Sequence, residues 1–91
     1  MDPDFSDNAA QSRYEYRQNG GAAYANYRRE GATLFIDYVY SPPELRGTGA
    51  AGALMKNIME TAAAQKTKVV PICGYAASWV ARHPEYKNLA G

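Results

Sequence analysis

Residues 46–52 read Arg-Gly-Thr-Gly-Ala-Ala-Gly, three glycines and two alanines set between a strand-like run that stops at Pro42-Pro43 and a segment of helical periodicity. Side chains this small leave the backbone N–H groups of the turn bare. The first N–H groups of an α-helix have no internal partner and carry the positive end of its dipole, so a bare turn at a helix start suits a phosphate or pyrophosphate. The competing reading is structural: the glycines only let the helix pack closely on a sheet.

The rest of the chain arranges itself around this turn. Ninety-one residues make one domain. Residues 1–12 carry three Asp, one Pro and Phe5 as their only large apolar group, which predicts a loose tail, leaving 13–91 as the folded unit. Tyr14–Arg17 and Ala22–Arg28 flank Asn19-Gly20-Gly21 as a hairpin, and Thr33–Tyr40 follows as a third strand whose nearly continuous apolar content predicts cover on both faces. Prolines 42 and 43 end that strand because they lack N–H donors. From Thr48 to about Gln65, Ala51, Leu54, Met55, Ile58 and Ala62 form one helical stripe, with Lys56, Asn57, Glu60 and Thr61 mostly opposite. Lys68–Ile72 reads as a short buried strand parallel to the third, and a second helix runs from about Gly74 to Arg82. The expected fold is α+β with a mixed sheet, in the order β-β-β-α-β-α. Tyr14, Tyr16, Tyr24, Tyr27, Tyr38 and Tyr40 all fall on the three strands, which predicts a half-exposed sheet face.

Composition excludes several classes of function. Ten Lys+Arg against nine Asp+Glu give a net charge of +1 with no basic cluster, so nucleic acid is not an expected partner. One cysteine and one histidine build neither a disulfide framework nor a Cys/His zinc site. No run approaches the ~18 apolar residues of a membrane span, and the acidic amino terminus is unlike a secretory leader. The expected compartment is the cytoplasm.

Among phosphate-binding templates, 47–52 matches GxGxxG, but the prolines separate it from its strand and Lys66–Ala77 holds no acid for a ribose. A P-loop fails because Ala50-Ala51 stand where Lys-Ser/Thr is required. Arg46-Gly47-Thr48-Gly49-Ala50-Ala51 instead fits (Gln/Arg)-x-x-Gly-x-(Gly/Ala). With Tyr38–Leu45 before it, Val69–Cys73 after the helix and His83-Pro84-Glu85-Tyr86 near the end, the chain resembles small stand-alone members of the GCN5-related N-acetyltransferase (GNAT) family over roughly residues 13–87. The resemblance implies a minimal acyl-CoA-binding core whose sheet splays between its third and fourth strands. Backbone near Val39 and Tyr40 would pair with the pantetheine arm of acetyl-CoA, N–H groups of Gly47, Thr48, Gly49, Ala50 and Ala51 would hold the pyrophosphate, and Arg46 would add a charge.

Three residues are candidates for the reacting end. Cys73 stands at the second helix start, where the dipole favours a thiolate, and the resemblance suggests an acyl carrier; its bland reading is a packed thiol. Asp37 is an acid in an apolar strand and a candidate base. Larger family members place a tyrosine partway along the last core helix to protonate the leaving thiolate; here Tyr75 is a displaced substitute, and Trp79 fits the core stripe. Glu30, Glu44 and His83 have ordinary solvent or helix-end readings. The expected activity is acetyl transfer to an amine, small molecule or protein, by a monomer or homodimer. The alternatives are a non-catalytic CoA-binding module and a dimerising interaction domain.

Overall fold

The computed structural model describes residues 3–89. Its strands are β1 (Phe5–Asn8), β2 (Arg13–Gln18), β3 (Gly21–Glu30), β4 (Thr33–Tyr40) and β5 (Lys68–Pro71), and its helices are α1 (Ala50–Gln65) and α2 (Gly74–Ala81). The sheet order is β1-β2-β3-β4-β5, antiparallel through β4, with β5 parallel to β4 across the α1 connection. The β2–β3 hairpin closes on Asn19 and Gly20, both at positive φ (51° and 80°), the combination a two-residue turn between right-twisted strands demands.

The amino-terminal segment departs from the loose tail the sequence predicts. Residues Phe5–Asn8 pair with Arg13–Tyr16, so the order is β-β-β-β-α-β-α. Phe5 is buried and stacks on Tyr14 with ring centroids 5.2 Å apart, while the Tyr27 hydroxyl donates to Asp7 Oδ1 at 2.6 Å. Phe5 alone could not offset the ordering entropy, but the free edge of β2 supplies hydrogen bonds and Tyr14 supplies a ring. Met1 and Asp2, also assigned to the tail, lie outside the described residues.

One core lies on one face of the sheet. Tyr14, Ala23, Ala25, Tyr27, Leu34, Ile36 and Val69 meet Leu54, Met55, Ile58, Met59 and Ala62 of α1 and Ala76 and Trp79 of α2. Tyr14 and Tyr27 are therefore core residues rather than half-exposed ones. Asn57, expected on the polar side of α1, is buried, and its Nδ2 donates to the Ala53 carbonyl at 2.8 Å. The opposite face carries Tyr24, Asn26, Phe35, Tyr38 and Tyr40, half-buried or exposed. Cover on both faces of β4, as the apolar run suggested, is thus not what forms.

A bulge explains why the run misleads. Asn26 and Tyr27 of β3 face Tyr38 and Ile36, which leaves Asp37 as an extra residue on β4. Ile36 points into the core with Tyr27, whereas Tyr38 joins Asn26 on the open face. Strict alternation would have put Ile36, Tyr38 and Tyr40 together.

Candidate functional site

The site forms where β4 and β5 part. Their parallel ladder runs from Thr33↔Lys68 to Ile36↔Pro71, and Ile36 closes it by accepting from the N–H groups of Ile72 (2.9 Å) and Cys73 (3.1 Å). Beyond this fork β4 continues to Tyr40, and no strand among the described residues pairs with it on that side. A cleft of about 410 Å³ occupies the space, walled by residues 38–41, residues 45–47 and 49–52 of the turn and helix start, and Tyr75 of α2.

The turn is held by its own hydrogen bonds. Pro43–Leu45 makes one 3₁₀ turn with Leu45 buried beneath it, and the Thr48 N–H donates to the Leu45 carbonyl at 3.1 Å. The Thr48 hydroxyl also donates to that carbonyl and accepts from the Ala50 N–H at 3.3 Å. Gly47 and Gly49 adopt φ of 81° and 85°, and a Cβ at either would meet nothing. Their glycines answer backbone conformation rather than crowding. Gly52 differs: its Cβ would lie 3.7 Å from Trp79 Nε1 and 3.9 Å from the Tyr75 hydroxyl, ordinary contact distances.

The N–H groups that remain face the ligand question directly. Helical bonding starts with Ala53, whose N–H donates to the Gly49 carbonyl at 2.9 Å. Among the described residues, no hydrogen bond uses the N–H of Gly47, Gly49, Ala51 or Gly52. The expected set therefore shifts: Thr48 is committed to Leu45 and Ala50 to the Thr48 hydroxyl, while Gly52 joins. Arg46 lines the cleft, and its Nε donates to the Ser41 carbonyl at 3.1 Å. Ser41 Oγ is buried beside it with no hydrogen-bond partner, a feature no sequence pattern signalled.

The three reacting-end candidates separate in space. Tyr75 lines the cleft, and burial pushes its phenol above the ordinary tyrosine value, with Arg82 opposing. Cys73 stands at the start of α2, half-buried against the core, and does not line the cleft. Asp37 is not brought to the cleft. It extends over the open sheet face and accepts from Arg28 Nε at 2.8 Å and Nη2 at 3.1 Å, and this guanidinium holds its carboxyl below the usual range. Alternation from the buried Ile36 places it there, on the face of Phe35 and Arg28, and a paired carboxylate with lowered proton affinity is a poor base. His83 Nδ1 donates to the Trp79 carbonyl at 2.7 Å, and its ring stacks on Trp79 with centroids 3.6 Å apart. A second hollow of about 420 Å³, between Lys56 and the Trp79–His83–Tyr86 stack, shares Gly52 with the cleft.

Comparison with known proteins agrees with this fold. No curated protein matches the chain. A solution structure from Staphylococcus aureus assigned as GCN5-like superposes with a TM-score of 0.66, covering 88% of this chain and 81% of that one at 19% identity, which shows a shared fold. No helix among the described residues is long and apolar enough to cross a membrane, nor do their His, Cys, Asp and Glu side chains form a metal-holding cluster. The family model described as GCN5-related N-acetyl-transferase matches residues 13–89, which include the fork, the turn and both helices, and the chain belongs to that family.

Proposed function

We propose that this chain binds acetyl-CoA in the fork and transfers its acetyl group to an amine. The observation that carries the reading is the set of unspent N–H groups at Gly47, Gly49, Ala51 and Gly52 lining one cleft at a helix start. Four donors beside a helix dipole fit a pyrophosphate, and the unpaired edge of β4 at Val39 and Tyr40 fits the amides of a pantetheine arm. Buried Ser41 Oγ gains a partner in the same cleft, and the hollow beyond Gly52 offers Lys56 to a phosphate at the nucleotide end. Bound there, the thioester supplies an acyl group activated for attack.

The chain's own residues then have defined tasks. Tyr75, a neutral phenol at the cleft wall, donates a proton toward the departing sulfur. The helix α1 start holds the anionic end in place. Cys73, packed against the core and outside the cleft lining, serves structure rather than acyl transfer, so transfer is direct.

Thermal denaturation with acetyl-CoA tests binding: at 100 times its dissociation constant, a ligand of the native state stabilises by ~2.7 kcal/mol. Tyr75→Phe should lower kcat by about 100-fold, the low end for a positioned acid, with the cofactor's thermal stabilisation retained. Unaltered melting with acetyl-CoA overturns the binding assignment, and unaltered kcat in the variant overturns the role of Tyr75. Intact mass after incubation with acetyl-CoA should show no acetyl adduct; an adduct that Cys73→Ala removes would establish the covalent route instead.

A further inference from the structure

Among the described residues the three large apolar side chains that stand most exposed are Tyr38 (48%), Ile72 (55%) and Tyr75 (37%); Tyr38 and Tyr75 line the cleft, and Ile72 belongs to the backbone that closes the β4–β5 ladder. Exposure scattered singly over a surface needs no explanation, but exposure gathered at one opening marks a contact site. Tyr38 occupies β4 just past the last paired residue, Ile72 follows β5 at the hydrogen bond that closes the ladder, and Tyr75 lies one turn along at the start of α2.

Charge at this opening is as informative as hydrophobicity. No carboxylate lines the cleft. Asp37, next to Tyr38 in sequence, is neutralised by both of its Arg28 bonds, and Glu30 adds a third contact to the same guanidinium at 3.4 Å, while Glu44, next to Leu45, is exposed and outside the cleft lining. A site that recruits a diamine or polyamine needs an anion for the distal ammonium, since a second charge left unpaired against apolar groups carries a heavy desolvation cost. An acceptor with a single amine meets the opposite situation. The apolar rim desolvates its ammonium, lowers its pKa and favours the neutral form that attacks.

From this juxtaposition we propose that the acceptor is a primary amine on an aromatic or aliphatic skeleton with no second cationic centre, docked through Tyr38, Ile72 and Tyr75. The inference rests on the acetyl-CoA reading above and adds the substrate class. In the step, the amine lone pair forms a C–N bond to the thioester carbonyl carbon, the C–S bond breaks with its electron pair to sulfur, the nitrogen loses one proton to water, the sulfur gains one from Tyr75, and water returns a proton to the Tyr75 phenolate. Products are an N-acetyl amine and CoA thiol.

The test compares phenethylamine and hexylamine with putrescine and spermidine as acceptors, reading CoA thiol release, with thermal stabilisation by acetyl-CoA measured in parallel. The monoamines should give kcat/KM at least about tenfold above the polyamines, the scale on which apolar pockets discriminate. Ile72→Ser should raise the KM for hexylamine several-fold and leave stabilisation by acetyl-CoA unchanged, while Ile72→Asp should shift preference toward putrescine. Equal or reversed preference, absent turnover with every amine, or an unmoved KM in Ile72→Ser, with acetyl-CoA still stabilising the protein, overturns the acceptor class alone. Absent stabilisation overturns the cofactor reading and the acceptor class with it.

Discussion

Replacing Gly52 with alanine should stabilise this protein and weaken its ligand binding at once. Gly52 lies in the first turn of α1 and is the residue shared by the fork cleft and the hollow beyond it. Its backbone takes no positive φ, and an added Cβ would rest 3.7 Å from Trp79 Nε1 and 3.9 Å from the Tyr75 hydroxyl, with no clash. Alanine in a helix gains about 0.5–1 kcal/mol over glycine, chiefly by narrowing the unfolded ensemble. For a domain of this size that gain raises Tm by about 2–8 °C. The same methyl stands between two aromatic groups on the path joining the cavities, beside an N–H the pyrophosphate would use. Loss of a tenfold factor in acetyl-CoA affinity, about 1.4 kcal/mol, is the expected cost. Differential scanning calorimetry of the free variant and isothermal titration with acetyl-CoA measure the two effects separately. A lower Tm would refute the packing argument, and an unchanged dissociation constant would refute the passage of the ligand over Gly52.

Gly49→Ala should do the reverse to stability, costing about 1–2 kcal/mol in a urea melt, because φ of 85° places a Cβ against its own carbonyl although surrounding space is open. Phe5→Ala should cost about 3 kcal/mol by the same melt, since Phe5 is buried and stacked on Tyr14; a value near zero would restore the loose tail. Glu15 is buried and accepts from Asn8, Arg13 and Arg17, and these partners, Asn8 foremost, hold its pKa below the ordinary carboxylate value. A depressed folded-state pKa contributes stability that is complete above the unfolded value of about 4.3 and fades as pH falls toward the folded one. Glu15→Gln should therefore flatten stability against pH in that acidic window, and an unchanged slope in acid titrations followed by circular dichroism would contradict the assignment.

Much of this protein was legible along the chain. Helical spacing from Leu54 to Ala62, the proline stop at 42–43 and the hairpin glycine at 20 each act within a few residues, so sequence alone located both helices, the later strands and the bare turn at 46–52. The choice among that turn's N–H groups was not legible, because Thr48 spends its own on Leu45 and a second through its hydroxyl. Three further decisions belong to tertiary structure. Strand β1 exists because the edge of β2 and the ring of Tyr14 receive it. The bulge at Asp37 arises from register against β3, and it sends Tyr38 to the open face, reversing what alternation implied, beside the acid that Arg28 binds. The rim of Tyr38, Ile72 and Tyr75 comes from three separate elements that meet only where β4 and β5 diverge. Local conformational preference is written residue by residue, whereas pairing register and the partners of a side chain depend on segments distant in sequence, and only the folded chain brings those together.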